Sequence, residues 1–459
     1  MKRRDFLTRS AAVGAAIPLG VAAPAILTSC SDNNRTRRRR YTPEELGMWS
    51  FAETAPDGRP LRAALIGCGH RGTGAAVDFL HAGNDLEIVA LADVLPDRIE
   101  RSRAILAERG NQVADENCFI GFDGYQRAVV LPEVDVVLIT TPNHFKPEQF
   151  RAAVEANKHV FMEKCPCIDP VGTRAIIAAS RMATARGLTV LTGNQYRHRR
   201  DHWAAYIEMK NGLIGDIVGA SCHYDVGAFW EVRKRPEWSD MEYQMRNWFN
   251  VRWISGDHIL DQGVHSIDVV TWFLDEELPV RGVGYGGRAR RRTGDTFDFF
   301  SIDYRYTNGK RVLQTARQID GTARDVSEQI FGTKGIVELS PRTGGQRIVD
   351  WDGNVLWEYD LEANPVPSPY RQTHIHLVES IRQNKRINTA ETLAMSNQVA
   401  ILGRETCYTG RAITWEEIMA SDLRYGPTPD EYAMGPIAPE HFQEGVAPIP
   451  GTEAASPLR

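Results

Sequence analysis

The chain has 459 residues, 54 of them basic and 59 acidic, for a net charge of -5. That length exceeds one ordinary core and asks for two domains, while 42% hydrophobic and 25% charged residues are the balance of a soluble globular protein. The near-equality of charges leaves no electrostatic footprint for nucleic acid, and seven cysteines without a CxxC pair offer no disulfide framework, so all but Cys30 read as free thiols.

Residues 1–30 read as an export leader. Arg3 and Arg4 in KRRDFL match a twin-arginine signal of the Tat route. The stretch from Ala11 to Ser29, interrupted by Pro18 and Pro24, is too weakly apolar for a membrane-spanning helix. It ends in LTSC, which resembles a lipobox and makes Cys30 the expected lipidation site, because the chain turns polar immediately after it. The expectation is an exported protein, periplasmic or held at the outer membrane through this lipid anchor alone. Residues 31–60 read as a polar linker, with Arg35 and Arg37 to Arg40 as a solvated basic run.

From Leu61 short apolar runs alternate with amphipathic stretches. RAALIG, EIVALAD, VDVVLIT and KHVFMEK read as strands, and PEQFRAAVEAN as one of the helices between them. The alternation predicts a doubly wound parallel sheet over residues 61–188. In DPVGTRAIIAASRMATARG the helix ends are legible: Asp169 as N-cap, Pro170 in the first turn, Gly187 at the end.

Over residues 189–425 the texture changes to strand-like runs separated by turn residues, among them IVGASCHYDVGAFW, DFFSIDYRYTNG and KRVLQTARQIDG. These predict an α+β domain with a large open, mostly antiparallel sheet, interrupted by helices near HILDQGVHSIDVVTWFL and HIHLVESIRQN. Residues 426–459, rich in Pro and Gly, read as an extended tail packed on a neighbouring molecule.

Gly67, Gly69 and Gly72 form G-x-G-x-x-G after the first strand. The first glycine permits the tight turn, the second lets backbone approach a pyrophosphate, and the third lets helix and strand pack closely. Asp93, ending the second strand, is placed for ribose hydroxyls and would repel a 2'-phosphate, which favours NAD; Arg71 and Arg98 keep NADP open. Glu163 and Lys164 close the fourth run, at the carboxyl edge where such sheets bind ligands. Asp261 and His265 are four apart, a spacing that puts both on one helix face, with Asp268 continuing that face. Histidine suits a general base because its unperturbed pKa of about 6.5 lies near neutrality. His258, His265 and the nearby aspartates match no recognised metal spacing, so no metal is expected.

The glycine loop, Asp93, TTPNHF, MEK and DQGVHSID, in this order, resemble the glucose–fructose oxidoreductase/inositol dehydrogenase (Gfo/Idh/MocA) family. The resemblance runs from about Leu61 to Met419 and includes GRETCYTGRAITWEE. It implies an N-terminal Rossmann domain for the nicotinamide cofactor and a C-terminal domain whose open sheet forms homo-oligomers, dimer or tetramer. It implies Lys164, Asp261 and His265 as the catalytic set. The implied cofactor-binding residues are Gly67, Gly69, His70, Arg71, Gly72, Asp93, Thr141, Pro142, Asn143, His144, Glu163 and Lys164. The implied substrate contacts are Lys164, Gln195, Arg197, Trp253, Asp261 and His265, with Asn143, Tyr196 and His198 as further candidates. Two positions depart from the pattern: Glu-Lys-Pro is here Glu-Lys-Cys, with the proline displaced to Pro166, and Lys146 stands where many relatives carry histidine.

The implied reaction removes a hydride from a sugar or glycoside CH–OH while His265 takes the proton, Lys164 steadies the oxyanion, and Asp261 orients His265 or a second hydroxyl. An exported enzyme meets no free NAD pool, so a tightly bound, internally recycled cofactor is expected. Two alternatives stand beside this reading. One is an NAD-dependent glycoside hydrolase that oxidises C3 transiently and eliminates the aglycone; the other is a non-catalytic NAD or sugar sensor on the same fold.

Overall fold

The computed structural model describes residues 40–341 and 345–452. The leader residues Arg3, Arg4 and Cys30 and the last residues of the tail lie outside the described residues.

The first layer is built from β1 (Leu61–Ile66), α1 (His70–Leu80), β2 (Leu86–Asp93), α2 (Pro96–Ala107), β3 (Cys118–Ile120), α3 (Gly124–Val129), β4 (Val136–Ile139), α4 (Lys146–Glu155), β5 (His159–Met162), α5 (Pro170–Ala185) and β6 (Val190–Thr192). The strands pair in the order β3-β2-β1-β4-β5-β6, all parallel. This is the doubly wound order of dinucleotide-binding sheets. Helices cover both faces, so the strands are apolar throughout rather than alternating; every residue of β4 and β5 is buried. α5 begins and ends as its sequence requires. Asp169 accepts a hydrogen bond from Gly172 N at 2.7 Å, Pro170 fills the first turn, and Gly187 follows the last turn at a φ of 64°.

The second layer contains α6 (Arg200–Lys210), β7 (Ile217–Val226), α7 (Asp240–Arg246), α8 (Arg252–Ser255), α9 (His258–Asp261), α10 (Gly263–Phe273), β8 (Arg281–Gly287), β9 (Phe299–Arg305), β10 (Arg311–Gln318), β11 (Asp325–Gly332), β12 (Gly335–Leu339), β13 (Arg347–Asp350) and β14 (Val355–Glu358). The elements α11 (Pro369–Arg382), α12 (Ala390–Thr409), β15 (Ile413–Thr414) and α13 (Trp415–Ala420) complete it. The sheet runs β14-β13-β12-β11-β7-β10-β9-β8-β15 and is antiparallel apart from the parallel β7–β10 pair. One face packs on α10 and α12. On the other, Val283, Asp303 and Leu313 lie in register across β8, β9 and β10, and Val283, Leu313 and the neighbouring Tyr285 are exposed.

The structure departs from the sequence expectations in several places. β6 pairs with β5, so the parallel sheet passes the expected boundary at 188 and ends at Thr192. The later chain also returns to the first layer: Ile375, Leu377 and Val378 of α11 share one apolar cluster with Leu65, Phe79 and Phe161. α12 has no amphipathic signature because every residue from Ser396 to Thr409 is buried, which leaves no polar face to reveal a helical period. Residues 40–60, within the expected polar linker, are largely exposed but make specific contacts. The Trp49 ring stacks on His376 at 4.4 Å between centroids, and Ser50 Oγ donates to Glu379 at 2.7 Å. The described part of the tail makes contacts within its own chain, with Glu444 Oε1 accepting from Gly294 N at 2.7 Å.

Candidate active site

Two positions, one in the loop between β1 and α1 and one in the first turn of α1, admit only glycine. Gly67 has a φ of 94°, and a Cβ there would lie 2.7 Å from Thr141 N; a Cβ on Gly72 would lie 1.9 Å from Gly67 O. Gly69 is different, since a Cβ on it would meet nothing within 4 Å. It faces a cavity of about 430 Å³. Among the described residues no side chain caps the N-terminus of α1, so its orphan N–H groups suit a pyrophosphate.

Asp93 lines the same cavity. Its carboxylate accepts from Cys68 N at 2.7 Å and from Leu95 N at 2.9 Å, which ties the acid to the glycine loop. Burial raises its pKa above the ordinary value. Each oxygen retains a lone pair for a ribose hydroxyl. His70, Arg71, Arg98, Thr141 and Pro142 also line the cavity, which ends at Asp261. The residues present therefore fit a nicotinamide dinucleotide laid along the carboxyl edge of the sheet.

Glu163 and Lys164 leave β5 beyond that end. Arg71 Nε donates to Glu163 at 2.6 Å, and its guanidinium lies 4.4 Å from the Tyr370 ring centroid. Lys164 Nζ lies 3.4 Å from Asp261 Oδ2 and donates to the Asp261 carbonyl oxygen. Burial works against the Lys164 charge, but the surrounding negative groups, the Asp261 carboxylate foremost, together outweigh it and raise the ammonium above its ordinary pKa. The Lys164–Cys165 peptide, at the position of the displaced proline, is cis.

Asp261 and His265 do not share a helix. α9 ends at Asp261, and Gln262, with φ of -116° and ψ of -46°, separates it from α10. Asp261 consequently turns to Lys164 and to Asn143, whose Nδ2 is 3.4 Å from Oδ1, and not to His265. The His265 ring lies between Tyr196 and Tyr224, at 5.2 and 6.1 Å between centroids. Burial, with the Lys164 charge adding, pushes the imidazole well below its ordinary pKa and keeps it neutral.

The other expected contacts divide. Gln195 is buried, its Nε2 donating to Tyr370 OH at 3.4 Å. Arg197 is engaged by Asp268, at 2.9 and 3.0 Å, and by Glu276 at 2.5 Å, so α10 and the turn after β6 are clamped and most of its donors are spent within the fold. Trp253 is 1% exposed, donates to Gln244 Oε1 at 2.7 Å and packs edge-on against His144. His144 in turn faces the Tyr432 hydroxyl, 2.7 Å away, rather than the cavity. His198 forms a buried pair with His376. Aromatic and basic residues near strand ends resemble sugar contacts in sequence; here tertiary packing claims them.

Two features were not legible in the sequence. Lys146, marked there only as a departure from the family pattern, is buried behind the Lys164 loop, a site that lysine rarely occupies unless paired. Phe229, Trp230, Met245, Trp248 and Phe249 of the second layer form the far wall of the cofactor cavity; GAFW after β7 was the available signal.

Comparison with known proteins agrees with this arrangement. The sequence pattern of an oxidoreductase family with an NAD-binding Rossmann fold matches residues 61–192, and that of the GFO/IDH/MocA C-terminal domain matches residues 202–338. The chain is 26% identical to a D-glucoside 3-dehydrogenase of Escherichia coli over 226 residues, 48% of this chain and 56% of the relative. It is 28% identical to a glycosyl hydrolase family 109 protein of Shewanella amazonensis over 236 residues, 50% of this chain and 48% of the relative. The match thus spans about half the length of these two curated relatives. Among solved structures, an aldose-aldose oxidoreductase from Caulobacter crescentus, complexed with glycerol, superposes with a TM-score of 0.61 at 18% identity, covering 78% of this chain and all of that one.

Proposed function

The chain belongs to the Gfo/Idh/MocA oxidoreductase family, and we propose that it oxidises a CH–OH group of a sugar or glycoside with a retained NAD. The observation that carries this reading is the Lys164–Asp261 pair at the end of the cavity opened by Gly69. NAD, when bound, supplies the hydride acceptor. The glycine loop and Asp93 would hold its pyrophosphate and ribose. Lys164, kept charged by Asp261, stabilises negative charge developing on the substrate oxygen. His265, kept neutral, accepts the hydroxyl proton. The Tyr196 and Tyr224 rings shield that imidazole from water.

The twin-arginine leader and Cys30 support an exported lipoprotein, and such a protein needs its cofactor reset in place, by a second sugar. The similarity to a D-glucoside 3-dehydrogenase supports a glycoside substrate. Similarity to a glycosyl hydrolase family 109 protein favours a second reading, in which transient oxidation at C3 leads to elimination of the aglycone, addition of water and re-reduction. The open face of the second sheet supports a homo-oligomer.

The test is made on protein purified without added nucleotide. It is denatured and any released cofactor is identified by mass spectrometry; intact protein is then mixed with a panel of glycosides while nicotinamide absorbance is followed. Stoichiometric NAD(H) with sugar-dependent reduction supports the dehydrogenase. Aglycone release without accumulated NADH supports the hydrolase. Ligand binding that survives His265→Ala, with no turnover in either protein, identifies a sensor and sinks both.

A further inference from the structure

Residues 227–250 cross from the second sheet to the rim of the first layer. Phe229 and Trp230 keep 41% exposure each while lining the cofactor cavity. Their loop is pinned to the segment that follows α7: Val232 N donates to Asn247 Oδ1 at 3.0 Å, Asn250 Nδ2 donates to Trp230 O at 3.1 Å, and Phe229 stacks on Phe249 at 4.7 Å. Loop, helix and turn therefore form one piece. That piece is fastened to α2 across the cavity. Arg246 holds Asp97 through two hydrogen bonds of 2.8 and 3.1 Å, and Arg98 Nη2 donates to Met245 O at 3.2 Å. The Trp238 ring lies 4.9 Å from both the Arg235 and the Arg246 guanidinium, which holds Arg246 in place.

Asp97 and Arg98 lie in the first turn of α2, four and five residues after Asp93, at the β2 side of the sheet. Lys164 leaves β5, and β1 and β4 lie between those two strands. The fastening is thus at the ribose end of the site, far from the reacting groups.

We infer that residues 227–250 are the second half of the cofactor site, a clasp over its ribose end, and that the Arg246–Asp97 pair sets how slowly the dinucleotide leaves. This rests on the reading that the cavity holds NAD. A dinucleotide lying between the glycine loop and the Phe229–Trp230 wall leaves only when wall and α2 separate, so the pair must break on the way out. Removing it acts mainly on the off-rate. Asp97 is half exposed and contributes little to folding, so variants keep the fold.

The probe is NADH. Trp230 and Trp248 line the cavity, so bound NADH accepts energy from tryptophan, and a chase with excess NAD reads its departure. Asp97→Asn, Arg246→Met and the double variant are compared with Arg181→Met, which removes the remote Arg181–Glu391 pair. The expected result is an off-rate raised about three- to tenfold in each of the first three. The double variant should be no faster than the singles, and Arg181→Met should be unchanged. Off-rates equal to that of the parent overturn the clasp while leaving the cofactor reading intact. Absence of energy transfer in the parent protein overturns both.

Discussion

The Lys146 ammonium grips the loop that carries Lys164. It donates to the Lys164 carbonyl oxygen at 3.0 Å, to that of Cys165 at 2.9 Å and to Asn143 Oδ1 at 2.8 Å, so all three of its protons are matched. Asn143 reaches on to Asp261, so one buried cation underlies both members of the Lys164–Asp261 pair. Burial lowers the Lys146 pKa to about 8.

Lys146→Met leaves three buried acceptors without their donor. We expect a loss of about 2–4 kcal/mol in unfolding free energy, measured by urea titration, and a lower kcat with NADH binding retained. A fully active variant would show that Lys146 only fills space.

Asp261→Asn removes the largest of the charges that oppose the burial of Lys164, so the ammonium pKa falls. Turnover should drop about 10²- to 10³-fold, and the alkaline limb of the pH–rate profile should move to lower pH. An unmoved limb separates Asp261 from the charge state of Lys164.

His265 accepts a proton only while neutral, and its pKa lies well below the ordinary value because it is buried beside the Lys164 charge. The acid limb of kcat/KM should therefore lie below pH about 6.5, the unperturbed imidazole value. A limb at or above that value assigns the base elsewhere.

Glu328 lies on β11, in the sheet on which α10 and its His265 pack, and burial raises its pKa from 4.5 to about 8. The folded-state pKa is above the unfolded one, so the unfolded chain binds fewer protons between these values. The contribution of Glu328 to stability is then greatest below pH 4.5 and declines as pH rises towards 8. Glu328→Gln should remove that slope, and its Tm advantage over the parent should grow with pH. A constant difference in Tm contradicts a buried protonated carboxyl.

The open sheet face carrying Val283, Tyr285 and Leu313 is the expected contact between copies of the chain. Tyr285→Lys with Leu313→Lys should convert a dimer or tetramer to monomer in light scattering after size exclusion. An oligomer that survives both changes uses another surface.

The amino-acid sequence by itself determined the alternation of strand and helix, the glycine loop with its acid, the caps of α5, and the order of the motifs that place Lys164, Asp261 and His265. Each is a local pattern: apolar period, cap chemistry, or a backbone that only glycine adopts. Tertiary structure alone decided how those residues pair. The break at Gln262 gives Asp261 to Lys164 instead of His265. Asp268 and Glu276 claim Arg197, Tyr432 of the tail draws His144 from the cavity, and Gln244 holds Trp253. The burial of α12 and Lys146 was illegible for the same reason. A side chain's partners across the fold, and the water it loses on meeting them, are not encoded in its neighbours along the chain.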